Sequence, residues 1–295
     1  MKILISGAAG QVGSALVKHG RKRGFEILGM SSSELDITNL RNVDAVFAQV
    51  KPDLVINASA YTAVDKAESD SELAYSVNEL GPKLLAKACR KAGISLFHIS
   101  TDYVFDGASN GVYSENDLTN PQSVYGRSKL LGELAVKENL DQYIILRTSW
   151  VFSETGSNFV KTMLRLGAER EKLSIVSDQV GGPTSADRIA TMLLTIAARV
   201  GDKQDVEWGT YHFSGLPYCS WYEFAKEIFQ QAESMRLISK APELASIPSF
   251  EYPTPAPRPL NSRLDCSKIY TEFGIEPDDW RQSLKEVLLK LGNHI

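Results

Sequence analysis

Five short apolar runs recur through the first half of the chain: "KILIS" (2–6), "EILGM" (26–30), "DLVINAS" (53–59), "SLFHIS" (95–100) and "YIILRTS" (143–149). Their length and their polar or glycine-bearing flanks predict buried strands. Between them, starting near Gln11, Asn39, Ser71 and Ser123, apolar residues return at the spacing of a helix face. Alternation of this kind predicts a parallel sheet with helices on both sides. The expected fold class is therefore α/β, a doubly wound Rossmann-type sheet with its ligands beyond the carboxyl ends of the strands.

The rhythm changes after Ser149. Helical patterns at about 157–170, 186–200, 220–233 and 279–292 alternate with irregular stretches such as "VSDQVGGPTSA" and "SFEYPTPAPRPLNSRL". Pro248, Pro253, Pro255, Pro257 and Pro259 fall in or just before the second stretch. It reads as a solvent linker or as a fixed loop lining a site, and its tyrosine, two arginines and Asn261 suit the loop better. The expected division is a dinucleotide-binding core over 1–149, with part of 186–215 returning to it, and a smaller substrate-binding lobe over 150–295.

Composition narrows the partners. The 295 residues carry a net charge of −4 and no basic block, which argues against nucleic acid. Apolar runs such as "LVINASA" and "MLLTIAA" fall well short of a bilayer span. The opening "MKILISGAAG" lacks the pattern of a secretory signal. Cys89, Cys219 and Cys266 are scattered and odd in number, so they form neither a disulfide framework nor a zinc site. The expectation is a soluble cytoplasmic protein without nucleic-acid or membrane partners.

The candidate chemistry begins directly after the first run. "ISGAAGQVGSAL" places Gly7, Gly10 and Gly13 between a strand and an amphipathic helix. Glycines there allow a tight turn and bring free backbone N–H groups close to a dinucleotide pyrophosphate. The second strand ends in "GMSSSELD". Met30, Ser31 and Ser32 stand where an NAD-specific site usually carries an acid, so a 2′-phosphate would meet no repulsion and Ser31 could donate to it. NADPH is the expected coenzyme, with NADH as the alternative. Asp36 and Ile37 either contact the adenine or serve as a helix cap and a buried aliphatic. Ala58, Ser59 and Ala60 after the third strand let the backbone run close to the dinucleotide, and Tyr61 and Thr62 enter the loop over the cleft. Asp65 reads as a cap of the next segment.

Thr101 and Asp102 end the fourth strand, and Tyr125 and Lys129 follow four residues apart on one helix face. A ketone that accepts hydride needs a proton donor at its oxygen. A tyrosine with a pKa near ~10 exchanges protons poorly at neutral pH, and a neighbouring ammonium, helped by the oxidised nicotinamide, is expected to lower that pKa. Thr101 would hydrogen-bond the carbonyl oxygen. A strand-end hydroxyl followed by Y-x-x-x-K is similar to the extended short-chain dehydrogenase/reductases.

The segments "GAAGQVG", "NASAYTAVDKAE", "STDYVFDG", "YGRSKLLGE", "LRTSWVF", "NFVKTMLRL", "DQVGGPT" and "PTPAPRPLNSRLD" together resemble the dTDP-4-dehydrorhamnose reductase family over nearly the whole chain. That resemblance implies NAD(P)H-dependent reduction at C4 of dTDP-4-dehydro-6-deoxy-L-mannose, giving dTDP-L-rhamnose. It implies that Gly10, Gln11 and Val12 hold the pyrophosphate, and that Asp36, Ile37, Ala60, Tyr61 and Thr62 meet the adenosine and ribose parts. Thr101 and Asp102 would meet the sugar, Tyr125 would give the proton, and Lys129 would assist it and hold the nicotinamide ribose. Trp150 would pack near the deoxyhexose, its alternative being core filler. Asn158, Gln179, Arg258 and Arg263 would face a diphosphate or thymine, with an ion pair to Asp265 or a helix acid as the alternative for Arg263. Some family members bind magnesium at a dimer contact through a glutamate in the first helix. Ala15 stands there in this chain, and Asp187 alone makes an incomplete set, so neither magnesium nor that mode of homodimer is implied.

Two rival readings share these motifs. Nucleotide-sugar dehydratases follow the strand-end Thr with Asp-Glu, whereas this chain has Tyr103 in the glutamate position; an epimerase that recycles its coenzyme stays open. A non-catalytic NADP-binding subunit is the second rival.

Overall fold

A computed structural model describes residues 1–292. The first half runs β1 (Lys2–Ser6), α1 (Gln11–Lys22), β2 (Glu26–Met30), α2 (Leu40–Val50), β3 (Leu54–Asn57), α3 (Val64–Ala67) and α4 (Ser71–Tyr75). A π-helical turn (Ser76–Leu80) leads into α5 (Gly81–Ala92), then β4 (Ser95–Thr101), a 3-10 turn (Asp102–Val104), α6 (Val124–Asn139) and β5 (Tyr143–Thr148). The second half holds β6 (Val151–Phe152), α7 (Phe159–Glu169), β7 (Lys172–Val176), β8 (Val180–Gly181), β9 (Thr184–Ser185), α8 (Ala186–Gly201) and β10 (Gly209–His212). It ends with β11 (Cys219–Ser220), α9 (Trp221–Ser234), β12 (Glu243–Ile247), β13 (Asn261–Ser262), α10 (Ser267–Phe273) and α11 (Trp280–Gly292).

The five expected strands form one parallel sheet with β10, in the order β10-β5-β4-β3-β1-β2. From β1 the chain winds one way to β2 and the other way to β3, β4 and β5. The direction reverses between β1 and β3, and at such a switch point the connections diverge and leave a crevice. Both faces of the sheet are covered, which explains why the strands read as continuous apolar runs. Ile3 and Ile5 face a core shared with α1 and α8, and Leu4 faces the core under α2 and α5. A third core, with Phe152, Val160, Phe224, Ile228, Trp280 and Leu284, belongs to the second half.

Three features were not anticipated. β10 is a short run, "GTYH", that pairs with β5. β7 and β12 pair in parallel across about 70 residues of chain, and α10 was read as irregular. Each short element draws its regularity from a partner rather than from its own pattern. The proline-rich stretch is a fixed strap. Ala256 within it is fully buried, and a Cβ on Gly107 would come 2.6 Å from Pro259.

Candidate active site

The glycine turn is built for close approach. Gly7 sits at φ +71°, and a Cβ on it would come 2.6 Å from the Ser59 nitrogen. A Cβ on Gly13 would lie 2.0 Å from the Gly7 carbonyl oxygen, so α1 enters against the turn only because residue 13 has no side chain. Gly10 precedes α1 without a side-chain cap, and no acid lies in the first turn. The amides around Gln11 and Val12 are therefore left for an anion, and the donor set fits a dinucleotide diphosphate. The Gln11 side chain points elsewhere. Its Oε1 accepts from Ser153 Oγ and Asn158 Nδ2, each at 2.9 Å. Asn158 also caps α7, its Oδ1 accepting from the Lys161 amide at 3.1 Å. Its side-chain groups are thus in use within the protein, where the sequence reading had them facing substrate.

At the adenosine end the expectation of an acid-free β2 terminus is corrected. The turn after Met30 folds back, and Glu34 Oε2 accepts from the Ser31 amide at 2.8 Å and from the Ser31 hydroxyl at 2.7 Å. These hydrogen bonds hold the Glu34 carboxyl below its ordinary pKa. A carboxylate thus reaches the strand end from three residues downstream, where linear spacing did not look for it. Asp36 receives the Thr38 amide and hydroxyl, and Ile37 is buried, its Cδ1 2.5 Å from where a Cβ on Gly81 would lie. Ile37 thus takes the buried role of its alternative, but Asp36 caps no helix: α2 is capped by Asn39, whose Oδ1 accepts from the Arg41 and Asn42 amides. Ala60 lies half-buried and Thr62 exposed at the cleft edge. The Tyr61 backbone is pinned by Asn78, whose Oδ1 accepts from its amide at 2.8 Å and whose Nδ2 donates to its carbonyl at 3.0 Å. Asn78 is fully buried in the π-helical turn, and no sequence signal singled it out.

Thr101, Tyr125 and Lys129 come together. Ser123 caps α6 by accepting from the Gly126 amide at 3.1 Å, and Glu68 Oε1 accepts from the Val124 amide at 2.9 Å. These two caps fix the first turn of α6, which carries Tyr125. A Cβ on Gly126 would lie 2.2 Å from the Tyr103 carbonyl oxygen, so α6 packs tightly on the turn after Thr101. The Thr101 hydroxyl lies close enough to Tyr125 to draw the phenol's pKa down and donates to Asp102 Oδ1 at 3.0 Å. Lys129 Nζ donates to the Ile99 carbonyl at 2.7 Å.

Burial is the chain's own largest influence on both members of the Tyr–Lys pair. Burial pushes the Tyr125 phenol up to about 12, Thr101 opposing and the Asp102 charge adding to it. Burial pushes the Lys129 ammonium down to about 8, with Glu133 opposing. Desolvation dominates at both groups because both are almost out of water. Asp102 is likewise pushed up to about 6 by burial, with Ser262 and Thr101 opposing, and its Oδ2 has no hydrogen-bond partner among the described residues.

Beneath Lys129 lies an ionic core that sequence reasoning missed. Glu133 continues the face of Tyr125 and Lys129 by one more turn, and a bidentate pair joins it to Arg147, Nε–Oε1 2.9 Å and Nη2–Oε2 2.7 Å. Ser100 donates to the same carboxylate at 2.5 Å. The spacing Y-x-x-x-K-x-x-x-E was the available signal.

On the substrate side, Trp150 takes φ +49° and stacks on Trp221 at 3.6 Å. A Cβ on Gly181 would meet its indole at 2.7 Å. Gln179 is buried. Arg258 Nη2 donates to Asp65 Oδ2 at 2.7 Å. Arg263 makes no ion pair with Asp265 among the described residues; it donates to Asn261 Oδ1 at 2.9 Å and to the Asn110 carbonyl at 2.7 Å. Ala15 is buried, and Asp187 pairs with His19 Nε2 at 2.7 Å and with Lys290. Among the described residues no group of three or more His, Cys, Asp or Glu could hold a metal ion, and no helix is long and apolar enough to cross a membrane.

Residues 1–293 match the family model described as RmlD substrate binding domain. A dTDP-4-dehydrorhamnose reductase of Aggregatibacter actinomycetemcomitans is 46% identical over 290 residues, covering 97% of this chain and 98% of the relative. The crystal structure of a dTDP-4-dehydrorhamnose reductase from Clostridium acetobutylicum superposes with a TM-score of 0.92 at 40% identity, covering 99% and 100% of the two chains. The enzyme of that name from Bacillus anthracis, solved in complex with NADP, superposes with a TM-score of 0.91 at 35% identity over 98% and 99%.

Proposed function

We propose a function on one premise: the chain belongs to the dTDP-4-dehydrorhamnose reductase family, which matches it along nearly its whole length. It is an NAD(P)-dependent oxidoreductase that reduces the C4 keto group of dTDP-4-dehydro-6-deoxy-L-mannose to dTDP-L-rhamnose. The observation that carries the chemistry is the close packing of the first turn of α6, with Tyr125, on the turn that follows Thr101 at the carboxyl end of β4. NADPH, when bound, supplies the hydride; the protein's own residues hold the reactants and move the proton.

In this reading the uncapped amides of α1 bind the coenzyme diphosphate. Thr101 donates to the sugar carbonyl oxygen and orients it. Tyr125 gives that oxygen its proton, so the carbonyl becomes a hydroxyl and the phenol a phenolate. A donor must carry its proton at working pH, and a phenol pushed up to about 12 does. The Lys129 ammonium, one helix turn away, steadies the phenolate until it is reprotonated. Asp102 and Trp150 line the sugar side. We assign the coenzyme to 1–149 together with part of 186–215, a division supported by the β5–β10 pairing and by the burial of α8 against α1. The remaining residues of 150–295 form the lobe that takes the dTDP-sugar.

A cytoplasmic location fits the nucleotide-sugar substrate and the three buried free thiols. Exposed Leu131 and Leu134 on α6 support a homodimer, whose sedimenting mass would be twice 32.5 kDa.

The test is turnover. NADPH and NADH oxidation is measured with the dTDP-sugar and with a UDP analogue. Tyr125→Phe is expected to keep its NADPH affinity and lose kcat by about 10²–10⁴-fold. Near-normal turnover in that variant would sink the mechanism, and stoichiometric NADPH consumption separates the reductase from a coenzyme-recycling epimerase.

A further inference from the structure

Asp65 and Arg258 are 193 positions apart in sequence, yet Arg258 Nη2 donates to Asp65 Oδ2 at 2.7 Å. The other carboxylate oxygen, Oδ1, accepts from the Ala256 amide at 3.2 Å. One side chain thus grips the proline-rich strap twice, once by its backbone and once by its guanidinium. Arg258, Pro257 and Pro259 line one small pocket together with Tyr103, and the Tyr103 ring meets the Tyr125 ring edge-on at 5.4 Å. Tyr103 therefore links the strap to the proton donor. The second guanidinium nitrogen, Nη1, is buried and lacks a partner among the described residues. A buried charged donor without an acceptor costs stability, and its planar fork suits a phosphate oxygen.

Asp65 sits in the segment that follows β3, the same segment whose Tyr61 and Thr62 border the coenzyme cleft. Resting on the substrate reading given above, we infer that Asp65 is a positioning residue for the sugar nucleotide: it holds Arg258 and the strap where the guanidinium meets the diphosphate. Proline fixes φ along the strap but supplies no donors, so without Asp65 its placement beside the site has lost a double anchor. A bare arginine would also have to be ordered by the substrate itself, and that ordering is subtracted from affinity.

The test uses the full chain loaded with NADP and titrated calorimetrically with dTDP, alongside turnover of the keto sugar. Asp65→Asn keeps the volume and removes the charge; Asp65→Ala removes both bonds. Each is expected to raise the Kd for dTDP and the KM for the sugar nucleotide by about five- to tenfold, with kcat at saturation within about twofold of wild type. The NADPH Kd should stay unchanged, and Asp65→Glu should recover part of the loss. Arg258→Ala should lose as much, and Asp65→Ala/Arg258→Ala no more than Arg258→Ala alone. Wild-type dTDP affinity in both Asp65 variants, or losses that simply add in the double variant, overturns the inference while leaving the reductase reading intact. Failure of the wild-type protein both to bind dTDP and to turn over the keto sugar overturns both. A matched loss of NADPH affinity would show a general collapse of the cleft and also overturn it. Thermal melts of each variant confirm that the folded protein is what is compared.

Discussion

Lys129 and Asp102 are held in the site against their ordinary preferences, and each makes a pH-dependent mark on stability. The Lys129 pKa of about 8 in the folded protein lies below the ~10.4 of an unfolded lysine. The unfolded chain therefore binds that proton more tightly, and stability rises with pH between about 8 and 10.4. At pH 7 the ammonium is a cost borne for function. Lys129→Met should raise stability at pH 7 by about 1–3 kcal/mol while abolishing turnover, measurable by urea unfolding beside an NADPH assay. Asp102 runs the other way. Its folded pKa of about 6 exceeds the unfolded ~3.9, so its contribution is fully present below ~3.9 and is lost as pH rises through 6. Asp102→Asn should gain on wild type by about 1–3 kcal/mol at pH 7, and that gain should shrink as the unfolding is repeated toward pH 4. Thr101, Tyr125 and Lys129 were legible in sequence because a strand end and one helix turn fix them locally. Glu34 was not, because a turn carries it back to Ser31, and Asn78 was not, because its value lies wholly in what surrounds it.

At the scale of elements, α6 shows how packing serves the chemistry. Its start is set by Ser123 and Glu68, and its closeness to the Thr101 turn by the missing side chain at Gly126. Alanine there gains helix propensity of about 1 kcal/mol, but its Cβ would lie 2.2 Å from the Tyr103 oxygen. The clash should win. Gly126→Ala is expected to lose about 10²-fold in kcat, because Tyr125 shifts with its helix, and to lower the melting temperature. A variant that is both hotter-melting and fully active would contradict the contact. The long elements were readable because each buries a face of its own. β10, β7 and β12 were not, because short strands owe their state to the neighbour that supplies their hydrogen bonds.

Across the whole molecule, the second half completes the first. β10 borders β5, and α8 covers Leu16 and Ala15 of α1 with Ile189, Leu193 and Ala197. His19 of α1, Asp187 of α8 and Lys290 of α11 are tied in one ionic cluster. A fragment of residues 1–149 lacks both the edge strand and that helix. It should bind ANS and lack the near-UV circular dichroism of the full chain, the marks of lost tertiary packing; a native-like spectrum would show that the core needs neither. The sequence by itself determined the α/β class, the order of β1 to β5, the coenzyme turn and the Tyr–Lys pair. All of these rest on spacing within a few residues, where backbone geometry alone sets which side chains are neighbours. Only the tertiary structure decided that Glu133 and Arg147 pair beneath Lys129, that burial governs the Tyr125 proton, and that Asp65 grips a strap 193 residues away. Those outcomes depend on which surfaces exclude water from one another, and that is set by packing between elements that no local pattern encodes.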